Sequence, residues 1–327
     1  MKSYDLCAMG NGIVDILIEV SDEELKNLGW EKGSWGMIST SEVDEVVKKF
    51  SDREQALASG GSAANSMIMF AQLGGKGAFF ASLGDDKLGK HFISEFESFG
   101  ATFGSRVTSS APTGCCLSMI TPDAERTMRV CLGASNDFAE NQMSEDIIAN
   151  SDWMLVEGYL FSGGKIALDA INWTLKLADK HSTKIAMTVS AVPIIENYRS
   201  EVEKVLAKTE LLFANEIEAQ VLANTKDLSQ AVDILSAQVP CVVVTVGPEG
   251  AYICCDGAQM QVPACKCTPV DLTGAGDAFA GAYLYGITHG YTPRECGERA
   301  ARMSKEIITR KGARYTGSVE ELRNIFK

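Results

Sequence analysis

The chain alternates between short apolar runs and amphipathic segments over most of its length. Four runs in its middle part consist mainly of aliphatic residues and predict buried strands, at 153–156, 184–188, 211–214 and 241–245. The segments next to these runs predict helices, at 164–180, 200–207, 216–222 and 229–235. Strands that alternate with helices indicate a mostly parallel sheet covered by helices on both faces. Ligand sites in such sheets lie beyond the carboxyl ends of the strands.

The N-terminal part of the chain is less regular. An apolar run at 6–9 ends in the turn Gly10-Asn11-Gly12, and further segments predict helices, at 21–28, 40–50, 65–73 and 87–99. Strands are predicted at 33–38 and within 78–86, where the strand leads into a turn. A hairpin follows, with strands at 114–121 and 126–131 joined by the turn Pro122-Asp123-Ala124. This hairpin interrupts the alternation, so we interpret it as a lid or an oligomer surface. In the C-terminal part, the pattern predicts two antiparallel strands at 251–254 and 259–262. It then predicts three helices, at 277–289, 293–309 and 315–327.

Composition narrows the class of protein. The 327 residues suffice for one large α/β domain or two unequal ones. A formal net charge of −13 argues against a nucleic-acid partner or an acidic membrane surface, and no apolar run approaches membrane length. The ten cysteines lie mostly in apolar runs, and with only three histidines they offer no zinc spacing. We therefore expect a cytoplasmic protein with reduced cysteines and with neither a nucleic acid nor a membrane as partner.

The stretch from Asp271 to Gly281 contains the main candidate chemistry. The glycines of Gly274-Ala275-Gly276 precede a predicted helix, whose unpaired N–H groups and dipole make an anion site, most simply for phosphate. Asp277 stands within this site, where a carboxylate would repel phosphate, so we expect it to have a chemical role. The alternative is a glycine turn with a helix-capping Asp. Phe279 excludes the dinucleotide fingerprint, and the lack of Gly-Lys-Ser/Thr excludes a P-loop.

A second glycine turn, Gly60-Gly61-Ser62, precedes the helix predicted at 65–73. Asn65 in its first turn can bind a hydroxyl group or simply cap the helix. Asn11 and Asp15 follow the first strand, and a buried carboxylate at position 15 needs a partner, for which a sugar diol is one candidate.

Two later strand ends are also polar. Asn215 and Glu218 lie three residues apart on one helical face, although an exposed helix surface would explain Glu218 equally well. The segment from Thr245 to Gly250 follows the most apolar strand, and its glycines suit the edge of a nucleotide site.

The two glycine motifs together resemble those of a known family. Gly60 to Asn65 and Asp271 to Asp277, in this order and about two hundred residues apart, are similar to the two signatures of the ribokinase-like (PfkB) sugar and nucleoside kinases. The resemblance covers nearly the whole chain. It implies one large α/β kinase domain over 1–327, with a three-layer ribokinase-like fold and a mostly parallel central sheet. It also implies a small β-lid built from about 12–20, 33–40 and 101–132.

The resemblance further implies an ATP-dependent transfer of a phosphoryl group to a hydroxymethyl group, with Mg²⁺ as cofactor. By this likeness Asp277 is the catalytic base, and the anion hole consists of Gly274, Ala275 and Gly276. The substrate side corresponds to Asn11, Asp15, Gly61 and Asn65. The ATP side corresponds to Asn215, Glu218, Thr245, Gly247 and Gly250. A monovalent cation such as K⁺, common in the family, is expected near Asp271 and Thr273.

Within the family, the segment from Glu125 to Asn136 is most similar to the adenosine-kinase branch. By that likeness Arg126 closes over the transferring phosphate and Asn136 lies near the substrate. Adenosine or a related nucleoside is therefore the first candidate substrate, and a free sugar such as ribose or fructose is the second. A catalytically silent, ligand-binding member of the fold is a further alternative, against which the intact Gly-Ala-Gly-Asp speaks. The oligomeric state is left open between a monomer and a homodimer formed through the lid.

Overall fold

The computed structural model describes residues 2–107, 111–123 and 125–327. Its strands are β1 (Tyr4–Met9), β2 (Ile13–Glu19), β3 (Trp35–Met37), β4 (Ala56–Gly60), β5 (Gly77–Phe80), β6 (Thr102–Phe103), β7 (Gly114–Ile120), β8 (Arg126–Cys131), β9 (Ser151–Glu157), β10 (Lys184–Thr188), β11 (Thr209–Asn215), β12 (Cys241–Thr245), β13 (Ala251–Cys255) and β14 (Ala258–Val262). Its helices are α1 (Asp22–Asn27), α2 (Thr40–Lys49), α3 (Ser62–Leu73), α4 (Lys87–Ser98), α5 (Glu145–Ala149), α6 (Gly164–His181), α7 (Val192–Leu206), α8 (Glu216–Leu222), α9 (Leu228–Ser236), α10 (Ala275–Thr288), α11 (Pro293–Ile308) and α12 (Val319–Phe326).

A nine-stranded sheet forms the central layer, in the order β14-β13-β12-β11-β10-β9-β1-β5-β6. Neighbouring strands run parallel from β6 to β12, and only the β12–β13 and β13–β14 pairs are antiparallel. Strands in the middle of such a sheet are covered on both faces and therefore consist almost wholly of apolar residues. Val242, Val243 and Val244 of β12 accordingly have no exposed surface.

Helices cover both faces of this sheet. One apolar core packs the sheet against α3, α4, α10, α11 and α12, and a second packs it against α5 to α9. Successive side chains of a strand point to opposite faces, so Leu211 of β11 lies in the first core and Leu212 in the second. The predicted three-layer α/β fold with a mostly parallel central sheet is confirmed.

A separate five-stranded sheet, in the order β3-β8-β7-β2-β4, lies above the large one. One face of it packs on α1 and α2, where Ile16 and Ile18 of β2 are buried. The alternate residues Asp15 and Leu17 line a cavity on its other face. Successive residues of β2 therefore alternate between an apolar core on one face of the sheet and a cavity on the other face.

The five-stranded sheet differs from the predicted lid in two ways. It contains β4, which the predicted ranges omit because the sequence Ala-Leu-Ala-Ser-Gly has little intrinsic preference for strand. The predicted range 101–132 begins too early, since β6 pairs with β5 at the edge of the large sheet. Residues 108–110 and 124, which belong to the predicted lid and hairpin turn, lie outside the described residues.

Two helices begin four or more residues from their predicted starts. Helix α7 begins at Val192, not at 200, with Pro193 in its first turn, where the missing N–H group of proline costs no hydrogen bond. It bends at Tyr198, whose backbone is not helical. The last helix begins at Val319, not at 315, after Ser318 caps it.

One pair of cysteines lies close together. Cys241 and Cys255 face each other on the antiparallel strands β12 and β13, with their Cα atoms 4.1 Å apart and their sulfur atoms within bonding distance. The other eight cysteines are free thiols. Within the described ranges, none of the helices has the length and apolar character needed to cross a bilayer.

Candidate active site

The N-terminus of α10 is built as an open anion site. Gly274 caps the helix in the left-handed conformation at φ 80°, and a Cβ there would lie 2.7 Å from Ala313. Among the described residues, no side chain caps the helix at this end. A Cβ on Gly276 would meet no atom within 4 Å, so the first turn faces free space. The N–H of Ala275 donates to the carbonyl of Leu272 at 3.3 Å, so the anion site consists of the helix dipole and the N–H groups of Gly276 and Asp277.

Asp277 lies in this first turn and is held by two donors from α3. Ser62 Oγ donates to Asp277 Oδ1 at 2.6 Å, and Asn65 Nδ2 donates to Asp277 Oδ2 at 2.8 Å. Loss of hydration raises the pKa of Asp277 above its ordinary value, and the two hydrogen bonds oppose this rise, as does the positive charge of Arg314. The carboxylate thus has a fixed orientation beside the anion site.

Close packing of α3 against α10 creates this arrangement. A Cβ on Gly281 of α10 would clash with the carbonyl oxygen of Ser66 in α3, so glycine is needed for the helices to approach. Gly281 lies one turn beyond Asp277, and Ser66 lies one turn beyond Ser62. The short distance between the helix axes therefore brings both first turns together.

The start of α3 rests on the turn after β1. Gly61 caps α3 at φ 101°, and any larger residue would clash with the carbonyl oxygen of Asn11. The N–H groups of Asn11 and Ala63 both donate to Oε2 of Glu157, at 3.3 and 3.2 Å. Gly61 and Asn11, which the sequence assigned to the substrate side, thus meet at the carboxyl edge of the sheet, where Glu157 joins the backbones of Asn11 and Ala63.

Glu157 is a site residue that the sequence analysis missed. It ends β9 and is 1% exposed. Burial raises the pKa of Glu157 to about 8, the negative charge of Asp277 adds to the rise, and the two N–H donors oppose it. Its signal was visible, because an acidic residue directly follows the apolar run at 153–156.

Replacement of Glu157 by Gln is expected to remove part of the pH dependence of stability. The pKa of Glu157 is raised in the folded state from an ordinary 4.5 to about 8, so the folded chain binds the extra proton between these values. The free energy of unfolding of the wild type should therefore fall, relative to that of Glu157→Gln, as the pH rises through this window. Thermal unfolding at about pH 5 and about pH 8 measures this difference.

The matched control is Glu210→Gln, an exposed position on β11. It should follow the wild type at both pH values. The same pH dependence in the wild type and in Glu157→Gln would contradict the assignment of Glu157 as a buried, neutral carboxyl group.

Arg126 joins the five-stranded sheet to the glycine motif. Its Nη2 lies 3.2 Å from Oδ2 of Asp271, an oxygen that also accepts from the N–H of Gly312 at 2.9 Å. The other oxygen, Oδ1, accepts from the N–H of Thr273 at 3.0 Å. Partial burial would raise the pKa of Asp271, but these donors and the charge of Arg126 hold it below its ordinary value. The predicted cation site at Asp271 and Thr273 stays a prediction, and a bound K⁺ would share this carboxylate with Arg126.

A cavity of about 560 Å³, which we call the edge cavity, lies at the carboxyl ends of β10, β11 and β12. Four residues predicted for the ATP side line it: Asn215, Glu218, Thr245 and Gly247. Asn215 and Glu218 also cap α8 reciprocally, with Asn215 Oδ1 accepting from the Glu218 N–H and Glu218 Oε2 accepting from the Asn215 N–H, both at 2.9 Å. Asn215 Nδ2 also donates to Glu218 Oε1 at 2.8 Å. Burial raises the pKa of Glu218. Gly250 is not in the cavity wall, and a Cβ there would clash with the carbonyl oxygen of Val262.

A larger cavity of about 1430 Å³, which we call the intersheet cavity, lies between one face of the five-stranded sheet and residues of α3, α4 and the segment 311–316. Its wall includes four residues that the sequence analysis assigned to the site: Asp15, Asn65, Arg126 and Thr273. Burial raises the pKa of Asp15, while a hydrogen bond with Cys116 and the charge of Arg314 lower it. Asn136 is not in this wall but is exposed on a short 3₁₀ turn, next to Ser135, whose Oγ donates to the carbonyl of Gly12 at 3.3 Å.

Comparisons with known proteins agree with this architecture. Residues 38–320 match the family model described as pfkB family carbohydrate kinase. The crystal structure of adenosine kinase from Sinorhizobium meliloti has a TM-score of 0.86 and 31% sequence identity to this chain. The match covers 97% of this chain and 98% of the Sinorhizobium chain. The crystal structure of a probable sugar kinase protein from Rhizobium etli CFN 42 has a TM-score of 0.87 and 30% sequence identity, and the match covers 98% of each chain. Adenosine kinase 2 of Arabidopsis thaliana is 26% identical, over 96% of this chain and 97% of its own length. The chain therefore belongs to the pfkB family of carbohydrate kinases, ATP-using phosphotransferases that act on hydroxyl groups of sugars or nucleosides.

Proposed function

We propose that this kinase phosphorylates the hydroxymethyl group of a nucleoside, with adenosine as the preferred substrate. The observation that carries the proposal is the position of Asp277. Its carboxylate is oriented by Ser62 and Asn65, lies in the first turn of an uncapped helix and stands beside the intersheet cavity that Asn65 lines. A base, an anion site and a substrate cavity are the three parts that phosphoryl transfer needs.

In the proposed reaction, the hydroxymethyl oxygen of the substrate attacks the γ-phosphorus of ATP. The bond between this phosphorus and the oxygen bridging it to the β-phosphorus breaks, ADP leaves, and the hydroxyl proton passes to the carboxylate of Asp277. The N–H groups of Gly276 and Asp277 in the first turn of α10 would face the charge that develops on the transferred group. Arg126, which is paired with Asp271 beside this motif, adds positive charge on the side of the five-stranded sheet.

The walls of the intersheet cavity favour a nucleoside over a free sugar. Leu17, Phe99 and Ile120 provide an apolar surface that suits a purine base, whereas Asp15 and Asn65 provide acceptors and donors for ribose hydroxyls. A nucleoside uses both kinds of surface, and a free pentose uses only the polar one. The volume of about 1430 Å³ exceeds the range of about 300–1000 Å³ that is usual for drug-sized ligands, so it has room for a nucleoside.

ATP would occupy the edge cavity, and its Mg²⁺ would be held mainly by the phosphates. The described residues contain no cluster of three or more side chains able to bind a metal. This fits Mg²⁺, which commonly uses one or two carboxylates together with substrate phosphates. Glu218, in the wall of the edge cavity, is the carboxylate that would face the ion, and Asn215 orients it. When bound, the ion neutralises charge on the phosphates.

A substrate panel tests the proposal. We expect ATP-dependent product formation with adenosine at a higher kcat/KM than with other nucleosides, ribose, fructose or 2-keto-3-deoxygluconate, because adenosine fills both walls of the cavity. ADP release and the mass of the product are measured together, with Asp277→Asn as the blank for contaminating kinases. A higher kcat/KM for a free sugar would identify a sugar kinase. Saturable ligand binding without product would identify a silent, ligand-binding member of the family.

A further inference from the structure

Arg314 is a buried cation to which the sequence analysis assigned no role. It lies between α11 and α12 and is 9% exposed. Its Nε donates to Oδ1 of Asn65 at 3.0 Å, and its Nη1 donates to Ser59 Oγ and, at 3.4 Å, to Oε2 of Glu95. A guanidinium presents its donors in a fixed plane, so these partners set its orientation.

Asn65 stands between Arg314 and the base. Its Oδ1 accepts from Arg314 and its Nδ2 donates to Asp277, so both ends of the amide are engaged. The oxygen and nitrogen of an amide are nearly equal in shape, and only hydrogen-bond partners distinguish the two orientations. Arg314, having only donors, requires the oxygen on its side. The donor end of Asn65 must then face the carboxylate of Asp277.

Glu95 and Ser59 anchor Arg314 from the opposite side. Oε2 of Glu95 accepts from the N–H and the Oγ of Ser59, both at 2.5 Å, as well as from Arg314. Ser59 belongs to β4 of the five-stranded sheet and Glu95 to α4, so the guanidinium connects three separate elements. Burial lowers the pKa of Arg314 to about 10, which leaves it positive at neutral pH.

The charged and titratable groups around Asp277 come from several elements. Arg314 faces it from the segment before α12 and favours its ionised form, whereas Glu157 faces it from the end of β9. Asp15 of β2 and Glu95 of α4 act on Arg314 from the other side. Nη2 of Arg314 is buried without a hydrogen-bond partner among the described residues, a feature that costs stability. A buried donor of this kind in the centre of the site therefore points to a functional role for Arg314.

We propose that Arg314 is a positioning residue for the kinase reaction: it fixes the amide of Asn65 and, through it, the carboxylate of Asp277, and it ties this assembly to β4 of the five-stranded sheet. The proposal rests on the proposed role of Asp277 as the base. It concerns a residue about 250 positions from Asn65 in sequence, outside both glycine motifs.

Two substitutions test the proposal, Arg314→Gln and Arg314→Lys. In Arg314→Gln, kcat should fall by roughly ten- to a hundredfold because the base is misoriented, while KM for ATP changes little. The acidic limb of the pH profile of kcat should move to higher pH, since the positive charge that favours ionised Asp277 is absent. Arg314→Lys keeps the charge but not the planar donors, so it should lose kcat with a smaller displacement of that limb.

A double-mutant cycle separates positioning from stability. If Arg314 acts through Asn65, Arg314→Gln should cause little further loss of kcat in an Asn65→Ala background. The matched control is Arg302→Gln, since Arg302 donates to the carbonyl of Ile325 at 3.1 Å in the same C-terminal region and lies outside the network. It should keep the kcat and the pH profile of the wild type. Thermal unfolding of every variant reports the folded fraction. If Arg314→Gln does not fold, kcat and its pH profile are measured on Arg314→Lys instead.

Three outcomes would overturn the proposal. These are an unchanged kcat and acidic limb in both Arg314 variants, a loss explained entirely by a smaller folded fraction, and losses from Arg314→Gln and Asn65→Ala that multiply independently. Asp277→Asn is measured in the same series. Full turnover in that variant would instead contradict the role of Asp277 and so the proposed mechanism, whereas its inactivity beside fully active Arg314 variants would contradict only the role of Arg314.

Discussion

Asp277→Asn is expected to lose phosphoryl transfer by about 10²–10⁴-fold, the contribution of a general base. Asn has the shape of Asp but does not accept the hydroxyl proton. Its amide can keep both contacts, because the oxygen can accept from Asn65 Nδ2 and the nitrogen can donate to Ser62 Oγ, so the change to the surrounding structure should be small. The wall of the edge cavity contains none of Asp277, Ser62 and Asn65, and we therefore expect ATP to bind there with nearly wild-type affinity.

The stability of Asp277→Asn should equal or exceed that of the wild type near neutral pH. The pKa of Asp277 is raised in the folded state, so ionisation of this group opposes folding once the pH exceeds its ordinary value. A neutral amide removes that opposition. Thermal unfolding, calorimetric titration with ATP and product formation at saturating substrate measure the three properties.

The control for this substitution is Asp169→Asn. Asp169 is exposed on α6, where it pairs with Lys165 one turn away, and such a pair adds little to stability. This variant should have wild-type activity. Turnover of Asp277→Asn near the wild-type level would show that another group accepts the proton, and the proposed mechanism would fail.

Gly281→Ala is expected to damage both stability and activity. The added methyl group would clash with the carbonyl oxygen of Ser66, a backbone atom in the middle of α3 that cannot rotate away. Separation of the helices should cost about 1–3 kcal/mol, the usual range for overpacking, although alanine is favoured over glycine in a helix by up to about 1 kcal/mol. Because Ser62 and Asn65 would shift away from Asp277, kcat should also fall, and a displacement of about 1 Å can cost about 10²-fold.

Gly276→Ala is the matched control on the same helix. A Cβ at this position meets nothing within 4 Å, so the unfolding temperature should stay the same or rise. Activity should fall here too, because the methyl group would enter the space in front of the anion site. Chemical denaturation and kcat of both variants separate the two effects. A Gly281→Ala protein as stable as Gly276→Ala would mean that α3 and α10 are not held in close contact.

The regions that were predicted correctly are those whose signal is local. The apolar runs at 153–156 and 241–245 were recognised as buried strands because all their residues except Thr245 are covered by the layers on both faces of the sheet. The two glycine motifs were recognised because each must combine a tight turn with a helix N-terminus. The strand β4 was missed because its small residues resemble a loop, and only its pairing with β2 makes it a strand.

The mutual contacts within the site could not be predicted in this way. The pairs Arg126–Asp271, Asn65–Asp277 and Arg314–Asn65 join residues that are far apart along the chain. Their meeting depends on the crossing of α3 and α10 and on the position of the five-stranded sheet. Asn215 and Glu218 were assigned to ATP, and the structure adds that they also cap α8.

By itself, the sequence determined the α/β class, the family resemblance and the identity of Asp277 as the central acid, because backbone turns, apolar periodicity and helix ends depend on neighbours in the chain. The tertiary structure alone decided which groups surround that acid. Glu157 and Arg314 carry no motif, and each acquires its role from burial and from partners supplied by distant elements. Side chains far apart in sequence meet only once the layers have packed, and no local pattern encodes that packing.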